Sequence, residues 1–147
     1  MRALIQRVRR ASVTVEGEEI SAIQGGLLVL LGVEASDTES DIKWLARKVC
    51  NLRVFDNDKG VMDKSLLDTG GECLIVSQFT LYADCRKGNR PSWSRAAGAV
   101  FAEQYYEKFT REVKNLGVSI KTGKFQAHMK LDLVNDGPVT IMLDTKE

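Results

Sequence analysis

The sequence predicts a mixed α/β domain in which two amphipathic helices cover one face of a β-rich core. Short alternating or apolar runs bounded by turn residues outnumber the helical stretches, and two segments carry apolar residues at helical spacing. The 147 residues, 44% of them hydrophobic, suffice for one core and leave little room for a second. Residues 1–147 show no repeat, low-complexity tract or Pro/Gly-rich linker, so the chain reads as one undivided domain.

Each element has its own signal. Alternation in Ala3–Val8 and again in Ser12–Val15 predicts two strands, and Gly17 turns the chain into a third over residues 19–23. Gly25-Gly26 opens the run Leu27–Val33, a buried strand by its length and its leucines and valines. Ser36-Asp37-Thr38-Glu39 has the form of a capping box, a hydroxyl and a glutamate three apart, and Ile42, Leu45, Val49 and Leu52 follow at helical spacing. Arg53-Val54-Phe55 and Val61-Met62 read as a hairpin about the turn Asp56–Gly60. Asp56 and Asp58 alternate as calcium ligands do, but the glycine stands one place early and no glutamate closes the loop, so turn chemistry explains the segment. Glu72–Gln78 is another apolar strand. A loop over residues 83–94 then leads into a helix carrying Ala97, Val100, Phe101, Tyr105, Phe109, Val113 and Leu116, with Gly117 in the C′ position. Strands around residues 118–121, 129–134 and 139–143 complete the chain.

Charge and cysteine usage exclude several function classes. Lysine plus arginine number 21 against 20 acidic residues, so no global basic field marks a dedicated duplex binder. Two local clusters remain: Arg86, Lys87, Arg90 and Arg95 in a stretch with no acid, and Lys121, Lys124 and Lys130. Each could hold a phosphate or form an ordinary solvated surface. No apolar run is long enough to span a bilayer, and the start MRALIQRVRR alternates instead of building a secretory segment, which predicts a soluble, unprocessed protein. Cys50, Cys73 and Cys85 show no paired spacing, which favours reduced thiols and a cytoplasmic location. One histidine and three scattered cysteines match no metal-ligand spacing, so neither metal nor cofactor is expected. His128, that one histidine, has no partner the sequence can assign, and no G-x-S-x-G elbow accompanies the serines.

Two polar clusters lie where apolar runs end: Ser77-Gln78-Phe79-Thr80-Leu81 and Asn135-Asp136-Gly137-Pro138-Val139-Thr140. On their own, Ser77 and Thr80 read as strand-end caps and Gln78 as a turn residue, or all three as ligand-facing donors and acceptors. Together with Ile5-Gln6-Arg7-Val8 and Arg86-Lys87-Gly88-Asn89-Arg90-Pro91-Ser92, the clusters resemble the signature segments of the D-aminoacyl-tRNA deacylase family, and the resemblance runs from end to end.

That resemblance implies a layered β/β/α fold with bent, nearly barrel-like sheets. It implies hydrolysis of the ester of D-aminoacyl-tRNA, and of mischarged glycyl-tRNA, with L-aminoacyl esters rejected. Ser77, Gln78, Phe79 and Thr80 would line the pocket for the aminoacylated 3′ end, the amides around Phe79 and Thr80 holding the ester carbonyl. Thr80 is the natural nucleophile candidate but has no base beside it, and the substrate's own ribose 2′-hydroxyl can take that part. Gly137-Pro138 would be a cis dipeptide inserted into the facing site of a homodimer, held by Asn135 and Thr140 and tethered by Arg7. Phe125 and Met129 match pocket-forming positions, although core packing alone would also account for them. Arg86, Lys87, Arg90 and Lys124 would guide the tRNA backbone. Gln126 and His128 depart from the family pattern on the pocket wall.

Overall fold

In the computed structural model, which describes residues 1–147, chain order is β1 (Arg2–Val15), β2 (Glu18–Ile23), β3 (Gly26–Gly32), α1 (Glu39–Asn51), β4 (Phe55–Asp56), β5 (Met62–Lys64), α2 (Leu66–Thr69), β6 (Glu72–Ser77), a 3-10 turn over Phe79–Tyr82, α3 (Ala99–Asn115), β7 (Ser119–Thr122) and β8 (Lys130–Asp144). The two strands predicted within the first fifteen residues are one, and so are the two predicted after residue 128. The reason is that β1 and β8 pair antiparallel along their whole length, from Arg2 opposite Asp144 to Thr14 opposite Lys130. The polar residues that look like breaks in the sequence are absorbed as register slips around Val8.

The sheet order β2-β1-β3-β6-β7, with β8 also on β1, explains the layering. The first half of β1 pairs with β3, and the second half leaves β3 to pair with β2. The strand therefore bends across two layers, and β8 follows it to give a nearly closed, barrel-like sheet. The central pair β3 and β6 is parallel and apolar on both faces, as such strands must be when both sides are covered. Leu27, Val29, Leu31, Cys73 and Ile75 face Ile42, Leu45, Phe109 and Val113 of the helices. Leu28, Leu74 and Val76 point the other way, under Val13, Ile23, Leu131 and Leu133. Gly26 is required where β3 meets β6, because a Cβ there would stand 1.9 Å from the Glu72 carbonyl oxygen.

Helix α1 starts later than the predicted cap implies. Its capping box is Thr38 with Asp41, not Ser36 with Glu39: the Asp41 carboxylate accepts the Thr38 amide at 2.7 Å, and the Thr38 hydroxyl accepts from the Asp41 amide. Asp37 is buried and already committed, its carboxylate taking the Met1 ammonium at 2.5 Å and the Glu34 amide at 2.7 Å. Helix α2 is a short turn that the sequence does not predict, although Ser65 and Asp68 form a second capping box and Leu66 anchors it in the core.

In α3 the buried stripe is Ala102, Tyr106, Phe109, Thr110 and Val113, so Tyr106 replaces the predicted Tyr105, and Val100 is 74% exposed. Tyr106 wins the buried place because its hydroxyl donates to the Ile75 carbonyl at 2.7 Å. Gly117 closes the helix at φ 102, its amide donating to the Lys114 carbonyl. The Asp56–Gly60 segment is a turn organised by Asn57, whose side-chain oxygen accepts the amides of Lys59 and Val61. No helix is long and apolar enough to cross a membrane.

Candidate active site

Strand β6 ends at Ser77, opposite Leu31 of β3, and the Gln78 amide donates to the Leu31 carbonyl at 2.8 Å before the chain turns away into the 3-10 segment. That turn brings Ser77, Gln78 and Phe79 to one wall of a cleft of about 520 Å³. The segment Phe125–Met129, which follows β7, forms the opposite wall, and Ala99 and Ala102 at the start of α3 close the side. Val33, Val76 and Leu131 complete an apolar lining with few polar groups, the usual character of a small-ligand site.

Support behind this wall comes from residues that no sequence motif singles out. Phe125 leans on Tyr106, ring centroids 6.0 Å apart, and burial pushes the Tyr106 phenol up to about 12, so it stays a neutral donor to Ile75. Gln126 lies in the left-handed region at φ 61, the backbone reason why a smaller residue suits the position better. Phe79 is 55% exposed and meets Trp93 edge to face, centroids 5.6 Å apart, which leaves two aromatic rings at the rim of the cleft. Trp93 has one signal in the sequence: an indole in a polar loop has no core to explain it.

The polar groups at this wall do not form a nucleophile–base pair. Thr80 follows Phe79 just outside the cleft lining, and its hydroxyl accepts a hydrogen bond from the Gln78 side-chain amide, which orients the hydroxyl and can take no proton from it. His128 lines the same cleft and makes no hydrogen bond to Ser77 or Thr80. Phe79 and Thr80 open the 3-10 turn, where the first amides lack an intrahelical acceptor.

A second cluster forms around Gly137-Pro138, whose peptide bond is cis. Arg7 is only 8% exposed and uses its guanidinium on main-chain oxygens, Nε on Asp136 at 3.0 Å and Nη1 on Val54 at 2.6 Å. The Asn135 side-chain amide donates to the carbonyls of Arg7 at 3.1 Å and Val139 at 2.9 Å, and Gln6 donates to the Thr140 hydroxyl at 3.1 Å. Gly137 sits at φ 126, where a Cβ would stand 2.9 Å from Arg7 Nη2 and from Val139 Cγ2. A tied-down bulge of β8 thus presents the exposed Gly137 and Pro138. It does not line the cleft of its own chain: Arg7 pairs with Leu27 and Ser77 with Leu31, so the two are four residue steps apart along β3, roughly 13 Å.

Of the basic residues, Arg86 is committed to Asp84 at 2.5 Å, and that side-chain pairing holds the Asp84 carboxyl well below the usual range. Asp84 and Ser92 exchange two backbone hydrogen bonds and fold the loop back on itself. Lys87 and Arg90 project from it into solvent, and Lys124 is exposed beside Phe125. Arg95, part of the same charge run, is not available: it forks onto the Glu34 carboxylate at 3.0 and 3.3 Å.

The family model described as D-Tyr-tRNA(Tyr) deacylase matches residues 4–144. A D-aminoacyl-tRNA deacylase of Thermosipho africanus is 56% identical over 147 residues, covering 100% of this chain and 99% of the relative. One of Desulfotalea psychrophila is also 56% identical with the same coverage. Among solved structures, a c-Myc DNA unwinding element binding protein superposes with a TM-score of 0.95 at 45% identity over 99% of both chains. A probable eukaryotic D-amino acid tRNA deacylase gives 0.83 at 15% identity over 97% of each, a likeness of fold. With its fold, its cleft and these similarities, the chain belongs to the D-aminoacyl-tRNA deacylase family.

Proposed function

We propose that this chain, acting as one domain over residues 1–147, is a cytoplasmic esterase that releases D-amino acids, and glycine from mischarged tRNA, from the 3′ end of tRNA. Family membership supports the ester substrate. The observation that carries the mechanism is the Gln78–Thr80 hydrogen bond, because a hydroxyl that accepts from an amide and has no base is a poor nucleophile. The ester carbonyl then sits against the amides of Phe79 and Thr80, which stabilise the oxyanion as the tetrahedral centre forms. The substrate's vicinal 2′-hydroxyl positions and activates the attacking water. Water adds to the carbonyl carbon, the ester C–O bond breaks, and the ribose 3′-oxygen leaves with a proton. Ser77, Gln78 and Thr80 orient the reacting groups, and Phe125 and Met129 bound the amino-acid side of the pocket. The exposed rings of Phe79 and Trp93 offer faces on which the terminal adenine can stack.

Chirality is selected in this reading by rejection. Gly137-Pro138 protrudes from a brace of Arg7 and Asn135, remote from its own cleft, which suits insertion into the cleft of a second copy in a homodimer. Held there, its carbonyls exclude an L side chain and leave room for a D side chain or for glycine. Lys87, Arg90 and Lys124, with a smaller part for Arg86, carry the backbone of the 3′ strand.

The structural relative named for a DNA unwinding element favours one second reading, a nucleic-acid-binding protein without turnover. Release of labelled D-amino acid from charged tRNA, with enzyme far below substrate, separates the two. Multiple turnovers support the esterase, and a stoichiometric or absent release sinks it.

A further inference from the structure

The outer face of α1 gathers three cations that no carboxylate engages. Lys43, Arg47 and Lys48 are all exposed and border an open groove of about 640 Å³ whose lining contains no acidic residue. Trp44 lies among them, 42% exposed, with the Lys48 ammonium 5.5 Å from its ring centroid. Arg53 continues the face past the end of the helix, its guanidinium resting on Asp63. Glu39, the carboxylate at the head of the helix, is taken by Lys108 of α3.

A solvated helix face normally intersperses signs, with acids placed to pair at i and i+4. Here Lys43 and Arg47 are themselves four apart, a like-charge neighbour pair that disfavours the helix, and an exposed indole stands beside them. Lys43 shares a hollow with Glu39 and Glu112 and Lys48 covers one side of the indole, but Arg47 has no acid three or four residues away on its face. Against a whole-chain formal charge of +1, this concentration of positive charge on one helix face is complementary to a polyanion. The location adds to this. Three residues beyond α1 lies Val54, whose carbonyl Arg7 holds together with that of Asp136, so the C-terminal end of the face leads to Gly137-Pro138.

We propose that the outer face of α1 is a docking surface for the phosphate backbone of the substrate tRNA, with Lys43, Arg47 and Lys48 on phosphates and Trp44 as the apolar contact. This rests on the deacylase reading. In the dimer of that reading, the subunit that inserts Gly137-Pro138 into its partner's cleft also lends its α1 to the tRNA whose 3′ end enters there. Affinity for the tRNA body and selection at its terminus then come from the same subunit.

The test compares the wild type with the triple variant Lys43→Ala, Arg47→Ala, Lys48→Ala on two substrates: full-length D-tyrosyl-tRNA and the short ester D-tyrosyl-adenosine. The expected result is a KM for the tRNA raised about tenfold or more near physiological salt, with the slope of log KM against log salt flattened by roughly 2–3. The kcat, and turnover of the short ester, stay at wild-type values. An unchanged KM on the tRNA, or an equal loss on both substrates, overturns the proposal. Should the wild type show no deacylation at all, the functional reading fails separately, and titration of fluorescently labelled uncharged tRNA still decides: tenfold weaker binding by the triple variant supports the surface, equal binding overturns it. Loss of affinity confined to a DNA duplex of similar length, with tRNA binding intact, overturns it in favour of DNA.

Discussion

The guanidinium of Arg7 donates to the main-chain oxygen of Asp136 at 3.0 Å and to that of Val54 at 2.6 Å, so one buried side chain ties the residue before Gly137 to the loop that follows α1. A planar fork can satisfy both carbonyls at once, and an ammonium cannot reproduce that geometry. Arg7→Lys is therefore expected to loosen Gly137-Pro138 without removing charge. Each buried carbonyl left unmet costs about 1–3 kcal/mol. The ratio of kcat/KM on D- and L-tyrosyl-tRNA should fall by about tenfold or more, the D rate changing less than the L rate. An unchanged ratio would detach Arg7 from selection.

Thr80 is the residue on which a covalent mechanism would rest. Since its hydroxyl accepts from Gln78 and faces no base, Thr80→Ala should keep deacylation within about tenfold of wild type. A substrate ending in 2′-deoxyadenosine should lose roughly 10²–10⁴-fold, the range that a general base contributes. Single-turnover rates on the two substrates check this, and an acyl ester trapped on Thr80 would contradict it.

Lys87, Arg90 and Lys124 project into solvent without a carboxylate partner, whereas Arg86 is paired with Asp84. Alanine at the first three together should raise KM for charged tRNA and flatten its salt dependence by roughly one unit of slope for each lysine or arginine withdrawn from a phosphate. Arg86→Ala alone should have the smallest effect of the four. A salt titration of KM for each variant distinguishes these outcomes.

Much of this arrangement is legible in the sequence, and what is not shares a physical cause. Central strands β3 and β6 announce themselves because both faces are buried, and Gly117 ends α3 where its φ of 102 suits glycine. What the sequence hides is pairing at long range. Residues 9–10 and 135–138 look like loop until β1 and β8 are seen to carry each other across them. The start of α1 is misread because Ser36 and Glu39 have the spacing of a capping box, while Thr38 and Asp41 form it and Glu39 turns to Lys108. In the site, Ser77–Thr80 and Phe125–Met129 are recognisable as segments. Tyr106 and the alanines of α3 are not, since their roles come from where α3 lies on the sheet, whereas Trp93 shows only as an indole in a polar loop.

Stability should report on the α1 cap. Burial alone would raise the Asp41 carboxyl, but hydrogen bonds from Thr38, Thr145 and Lys146 outweigh it and hold the group well below its ordinary value. A carboxyl depressed in the folded state stabilises above its unfolded pKa of about 4 and loses that contribution as pH falls toward the folded value. Asp41→Ala should therefore cost about 0.5–2 kcal/mol at neutral pH, the usual worth of a cap, and the gap to wild type should narrow below about pH 4. Denaturant midpoints at pH 7 and pH 3 measure both.

The most direct measurement of the central claim is the rate of deacylation of one tRNA charged in turn with D-tyrosine, L-tyrosine and glycine, at enzyme concentrations far below substrate. D-tyrosyl and glycyl esters should turn over many times while the L-tyrosyl ester persists at its uncatalysed rate. Comparable release of L-tyrosine, or no turnover of the D ester, would contradict an ester hydrolase that selects by steric rejection.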